Sequence, residues 1–185
     1  RGFVDLDEPA PVAEWARKGD PRAAIKWNDL MQMQSGLSFD ETYGDPKSDV
    51  SKMLFRARDA GKVAAMKRPE HAPGSYWSYS SGTTNLIQRT LRETLEGNDV
   101  GYHLFARDAI FKPLGAASFV IEPDASGTFI GSSYVYATAR DWAKLGLDRS
   151  KFIGGDLHLT CRQAGGAHDL VEVDRRGAQH ALNHR

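Results

Sequence analysis

An α/β (α+β) domain carried mainly by helices is predicted, on three observations. Apolar residues recur at helical spacing in separate segments between positions 25 and 147. Two later stretches, Ser118 to Ile121 and Thr128 to Ala137, read as strand-like or extended. Gly and Pro punctuate the joins between them. At 185 residues and 41% hydrophobic content the chain is one ordinary globular domain by length, large enough to bury a core.

Residues 1 to 22 carry Pro9, Pro11 and Pro21 between short apolar pieces, which predicts an extended, turn-rich lead-in. From Ile25 to Gln34 the spacing places Trp27, Leu30, Met31 and Gln34 near one face of a short core helix that Ser35-Gly36 stops. Phe39 to Lys47, acidic and broken by Gly and Pro, predicts a loop. A helix follows with Val50, Met53, Leu54 and Ala57 inward, and a further short one runs to Met66. Thr83 or Thr84 can cap the next helix, in which Ile87, Leu91 and Leu95 recur at i, i+4 and i+8 before Gly97. Another covers about Tyr102 to Phe111 and ends before Pro113. Thr138-Ala-Arg-Asp141 has the pattern of a capping box for a last helix through Leu145.

After Leu147 the texture changes. The remaining residues hold one aromatic, Phe152, and four of the six histidines, so residues 148 to 185 are expected to form a divergent, poorly ordered tail.

Lys plus Arg and Asp plus Glu balance at 24 each, so no net field gathers nucleic acid or anionic lipid, and a small neutral partner suits the surface better. The single Cys161 cannot form an intramolecular disulfide, and no apolar run approaches the roughly 20 residues of a membrane span. The covered chain reads as soluble. It opens at Arg1 with neither initiator Met nor signal sequence; the start reads as a cut edge, and no compartment, periplasmic, exported or cytoplasmic, is assigned.

The chemistry concentrates in Pro73-Gly74-Ser75-Tyr76-Trp77-Ser78-Tyr79-Ser80-Ser81-Gly82-Thr83-Thr84, where an aromatic run meets a hydroxyl-rich elbow at a helix start. A phenol titrates near 10, so Tyr79 can serve as a base near neutral pH only where a cation favours the phenolate; otherwise it is a half-buried tyrosine of an aromatic strand. The hydroxyls of Ser80, Ser81 and Thr83 either orient a water or substrate oxygen or cap the helix amides.

Motif order widens the reading. Asp5-Leu6-Asp7-Glu8-Pro9, Ile25-Lys-Trp-Asn-Asp-Leu30 leading to Ser35-Gly36-Leu37, Pro73-Gly74, Tyr79-Ser80-Ser81 and Phe111-Lys-Pro113-Leu114-Gly115 together resemble the serine β-lactamase and penicillin-binding-protein superfamily. The likeness is nearest to class C β-lactamase-related esterases, D-alanyl-D-alanine carboxypeptidases and 6-aminohexanoate-dimer hydrolases, and covers about residues 1 to 147. It implies a β-lactamase/transpeptidase-like fold, of which this chain carries mainly the helical part. It also implies hydrolysis of a small ester or amide through an acyl-serine, without metal or organic cofactor. Tyr79 matches the family's proton-exchanging tyrosine, and Ser81 stands at the third position of that motif, where β-lactamases carry Asn. Tyr43 resembles a loop tyrosine that overhangs the substrate; the alternative is an exposed loop aromatic. The segment Asp124 to Ala137 resembles one that lines the site, with no catalytic role assigned.

Two departures stand beside these matches. The family's nucleophile and its lysine, in Ser-x-x-Lys, occur nowhere in the 185 residues, and the Lys-Thr-Gly or His-x-Gly strand is absent. This chain alone is therefore expected to be inactive, as a truncated or frame-shifted product would be. Non-enzymatic alternatives are a degenerate binding module or a metal-binding tail, since His158-x-x-Cys161 and His180-x-x-x-His184 have spacings that can share a zinc ion.

Overall fold

The computed structural model describes residues 2 to 152 and two short strands beyond them. The chain divides into two compact units, Arg1–Phe105 with Val120–Tyr136, and Ala106–Phe119 with Ala137–Arg185.

In the first unit the proline-rich lead-in forms part of the core. It makes 3-10 turns at Ala13–Trp15 and Pro21–Ala24, the second capped by Asp20, whose carboxylate accepts from the Arg22 N–H at 2.9 Å. The Ala10 N–H donates to the Ile25 carbonyl at 2.9 Å, so Ala10, Val12 and Trp15 are buried with Ile25, Trp27 and Leu30. The Trp15 indole N–H donates to the Ala65 carbonyl at 2.9 Å, which satisfies its one polar atom inside that core.

Helix α1, Trp27–Met31, is shorter than its spacing predicts. Trp27 and Leu30 are buried, but Met31 is exposed and Gln34 lies beyond the helix. The reason is local: Met33 takes φ 57°, a left-handed conformation that ends a right-handed helix. Helix α2, Asp49–Phe55, is capped by Ser48 and buries Val50 and Met53 as expected, with Leu54 half-buried. Helix α3, Ala60–Ala65, is the expected short helix, capped by Asp59.

Helix α4, Ser81–Glu96, packs on α3 where Gly61 abuts Arg89 Cβ and the Asn85 carbonyl, a contact that a side chain on residue 61 would prevent. Arg89 beside it pairs with Glu14 at 2.9 Å, Asp59 at 3.2 Å and Glu93 at 3.3 Å, joining the lead-in, the α3 cap and α4 through one guanidinium. Burial pushes the Glu93 carboxyl up. Burial opposes ionisation of Glu14 too, yet its hydrogen bond from Arg89 holds it below the usual range. The apolar stripe of α4 is rotated slightly from the expected one. Leu86 and Leu95 are fully buried, while Ile87 and Leu91 are half-buried against the same core.

Helix α5, Tyr102–Ala106, begins where expected. The Tyr102 hydroxyl donates to Gln88 at 3.0 Å and accepts from the Phe129 N–H at 3.1 Å, and burial pushes this phenol up to about 12. Strands β1, Val120–Ile121, and β2, Val135–Tyr136, pair antiparallel inside the two stretches predicted to be extended.

The second unit holds a π-helical turn at Arg107–Phe111, the latter half of the helix predicted to Phe111, and helix α6, Ala139–Phe152, longer than predicted. Phe111 stacks on Phe119 at 4.2 Å, and Phe119 meets Trp142 edge-on at 4.9 Å. The capping box of α6 forms by half. Thr138 Oγ1 accepts from the Asp141 N–H at 3.3 Å, but the Asp141 carboxylate accepts from Ser118, from its N–H at 2.9 Å and its hydroxyl at 2.7 Å. Ser118 Oγ in turn accepts from the Thr138 N–H at 3.0 Å, replacing the carboxylate that the box would have used.

Beyond α6, β3 (Leu159–Thr160) pairs antiparallel with β4 (Glu172–Val173). His158, Cys161, His180 and His184 lie outside the described residues. Among the described residues no group of His, Cys, Asp or Glu could hold a metal, and no helix is long and apolar enough to cross a membrane.

Candidate active site

The elbow is built by two backbone anchors and one cap. Gly74 N–H donates to the Gln34 carbonyl and Ser78 N–H to the Met33 carbonyl, each at 2.9 Å, tying the aromatic run to the chain that leaves α1. Ser80 then takes φ −148° and ψ 112°, and its Oγ accepts from the Thr83 N–H at 3.0 Å, so α4 starts at Ser81. The cap is Ser80, not Thr83 or Thr84. Thr83 is buried instead, its hydroxyl 3.5 Å from that of Ser35.

Tyr79 precedes this cap by one residue. Its side chain is 55% exposed, as are its neighbours Tyr76 and Trp77 in similar degree, so the alternative of a half-buried strand tyrosine does not hold. The phenol makes no hydrogen bond to another described residue and is free to meet a ligand.

Ser81 is the reverse case, only 1% exposed. Its N–H donates to one oxygen of the Glu41 carboxylate and its Oγ–H to the other, the latter at 3.1 Å. The hydroxyl proton is thereby committed, so the Tyr43 hydroxyl, 3.4 Å away, acts as donor and Ser81 Oγ as acceptor. The structure brings Tyr43 and Ser81 together as two sequence-predicted residues of one site. Tyr43 is 65% exposed, with its hydroxyl on the helix end and its ring in solvent. With Ser81 buried and both Glu41 oxygens bonded to it, the Glu41–Ser81 pair ties residues 39 to 43 to the first residue of α4.

Asn85, one turn on, is a site neighbour that periodicity did not single out. Its Nδ2 donates to the Ser81 carbonyl at 3.0 Å and to Ser132 Oγ at 2.8 Å, while its buried Oδ1 has no partner among the described residues. The reversed amide would set Oδ1 against the Ser81 carbonyl, so this orientation stands. Through Ser132, Asn85 holds the segment Gly131 to Tyr134 against the first turn of α4. Glu41 was also missed. The signal for both was weak: a polar residue inside an apolar helix pattern, and an acid within a loop.

Solved structures share this architecture. A protein from Bacillus anthracis named as a 6-aminohexanoate-dimer hydrolase matches with a TM-score of 0.64 and 19% identity, covering 80% of this chain and 42% of the other. A β-lactamase/D-alanine carboxypeptidase from Yersinia pestis matches with a TM-score of 0.57 and 20% identity over 86% of this chain and 53% of the other. For a D-amino acid amidase from Ochrobactrum anthropi the values are 0.52 and 18%, over 81% and 51%. The chain thus spans about half the length of the structures it resembles and has their β-lactamase/transpeptidase-like fold. No curated protein matches the chain. The family model described as Beta-lactamase matches residues 1–177, past Leu147 where the motif resemblance ended. With nearly its whole length inside that match, and with the Tyr79-Ser80-Ser81 elbow set at a helix start, the chain belongs to the Beta-lactamase family.

Proposed function

We propose that this chain carries the proton-transfer arm of a serine hydrolase, and that the whole protein cleaves a small ester or amide through an acyl-serine. The observation that carries this reading is the exposed Tyr79 phenol, held one residue before the capped start of α4 with no hydrogen bond to another described residue. In the first step a serine hydroxyl, from a Ser-x-x-Lys not among these residues, attacks the substrate carbonyl. Its proton passes toward the tyrosine and lysine pair and then to the departing alcohol or amine; water repeats the sequence to free the acid. The names of the compared structures, a dimer hydrolase, a carboxypeptidase and an amidase, support an amide or ester as the bond cleaved. No metal or organic cofactor enters this scheme.

The 185-residue chain by itself does not catalyse this reaction. A nucleophile and its base act as a unit, and Tyr79 alone retains little of the rate. Ser81, buried and donating to Glu41, cannot replace the missing hydroxyl. A fluorophosphonate and a penicillin probe incubated with the purified chain should leave it unlabelled by intact mass. A stoichiometric adduct mapped to one serine would overturn the proposal and identify that serine as the nucleophile.

A further inference from the structure

We propose that Glu41 is the positioning residue that orients the Ser81 hydroxyl and seats Tyr43 against it, making residues 39 to 43 a strap across the start of the site helix. The proposal rests on the reading of Tyr79 and Ser81 as site residues.

Alternate residues of the strap face α4. The ring of Phe39 lies on the backbone of Gly82, the Glu41 carboxylate holds the Ser81 N–H and hydroxyl, and the Tyr43 hydroxyl reaches Ser81 Oγ. The intervening residue Asp40 bonds elsewhere. Its N–H donates to the Asp49 carboxylate at 3.0 Å, its carbonyl accepts from the Val50 N–H at 3.1 Å, and its own carboxylate accepts from the Thr42 N–H at 2.9 Å. Residues 39, 41 and 43 thus meet the start of α4, while Asp40 between them is tied to α2. Phe39 packs against both apolar clusters of the first unit, so the strap is anchored at its start.

Glu41 is the member that determines the chemistry at the far end. Ser81 is the first residue of α4, so its amide has no partner within the helix. A carboxylate there is also favoured by the partial positive charge of the helix start. Because both carboxylate oxygens are spent on the one residue, the Ser81 hydroxyl proton is fixed and a lone pair is presented to Tyr43. Without Glu41 that proton is free to rotate, so no Ser81 lone pair is held toward Tyr43 and the contact that seats an otherwise solvent-exposed ring is weakened.

The test uses the full chain labelled with 3-fluorotyrosine, whose six tyrosines give separate fluorine resonances. Tyr43→Phe and Tyr102→Phe assign two of them, and Tyr102 reports on packing elsewhere in the same unit. In Glu41→Ala the Tyr43 resonance should move toward that of free fluorotyrosine and the Ser81 amide should exchange about tenfold faster or more, with Tyr102 unmoved. Glu41→Gln, which keeps an acceptor oxygen at the same reach, should restore part of both. A Tyr43 resonance that stays in place in Glu41→Ala overturns the proposal. So does a Tyr102 resonance that shifts as far as Tyr43 in both Glu41 variants, which would make Glu41 a general support of the fold. Should Glu41→Ala fail to fold, Ser81→Ala removes the acceptor directly, and an unmoved Tyr43 there overturns the proposal equally. The readout needs no turnover, so it can fail while the acyl-serine reading stands, and the probe experiment can fail while the strap stands.

Discussion

The edge of the Phe39 ring occupies the space where a Cβ on Gly82 would sit. This contact brings the strap onto the first turn of α4, within one residue of the Ser81 hydroxyl, and Phe39 cannot retreat easily because both apolar clusters pack on it.

Gly82→Ala should therefore destabilise the chain. Alanine is worth about 1 kcal/mol over glycine in a helix interior, but overpacking against a fixed ring costs about 1 to 3 kcal/mol, and the clash is expected to win. Denaturant midpoints should show the loss, and Phe39→Leu in the same chain should recover part of it. A Gly82→Ala variant more stable than the parent would show that Phe39 yields freely.

Tyr79→Phe should leave the fold intact, since the phenol makes no hydrogen bond within the described residues and its ring is largely in solvent. In a protein that also carries the Ser-x-x-Lys helix, the same change should lower turnover of an active ester by about 100-fold or more, the scale of a lost proton-transfer group. Unchanged turnover of the folded variant would remove Tyr79 from the mechanism.

Asp141 should make the second unit sensitive to strong acid. The Lys144 ammonium at 2.7 Å, with the two bonds from Ser118, holds its carboxyl down to about 2 from an ordinary 3.8. A depressed value means that the unfolded chain takes the proton first as pH falls. The contribution is thus whole above about 4 and fades as pH drops toward about 2. The carboxyl carbon shift of Asp141 should titrate below the ordinary range, and Asp141→Asn should flatten the stability loss across that window. A titration midpoint near 3.8, or an acid profile that Asp141→Asn leaves unaltered, would contradict this.

Periodicity made the helices legible. Val50 and Met53, Leu30 with Trp27, and Leu95 are buried where spacing placed them, because an apolar stripe must find the core whatever the partner is. Helix ends were less legible. The cap moved from Thr83 or Thr84 to Ser80, since several hydroxyls in a row offer the same chemistry and backbone path selects one. Likewise Asp141 turned from Thr138 to Ser118 because a tertiary neighbour offered two donors where the capping box offers one.

The sequence by itself determined the family, through motifs in one order, and named Tyr79, Ser81 and Tyr43 as the residues to watch. Tertiary structure alone decided how each is buried and bonded. Glu41 and Ser81 lie 40 positions apart, and nothing in local spacing couples them. Their meeting follows from Phe39, whose burial between two apolar clusters steers the following residues over the helix start. Burial is a property of the packed chain. It covers Ser81 and leaves Tyr79 exposed, a division that two hydroxyl-bearing positions two residues apart in one motif do not reveal.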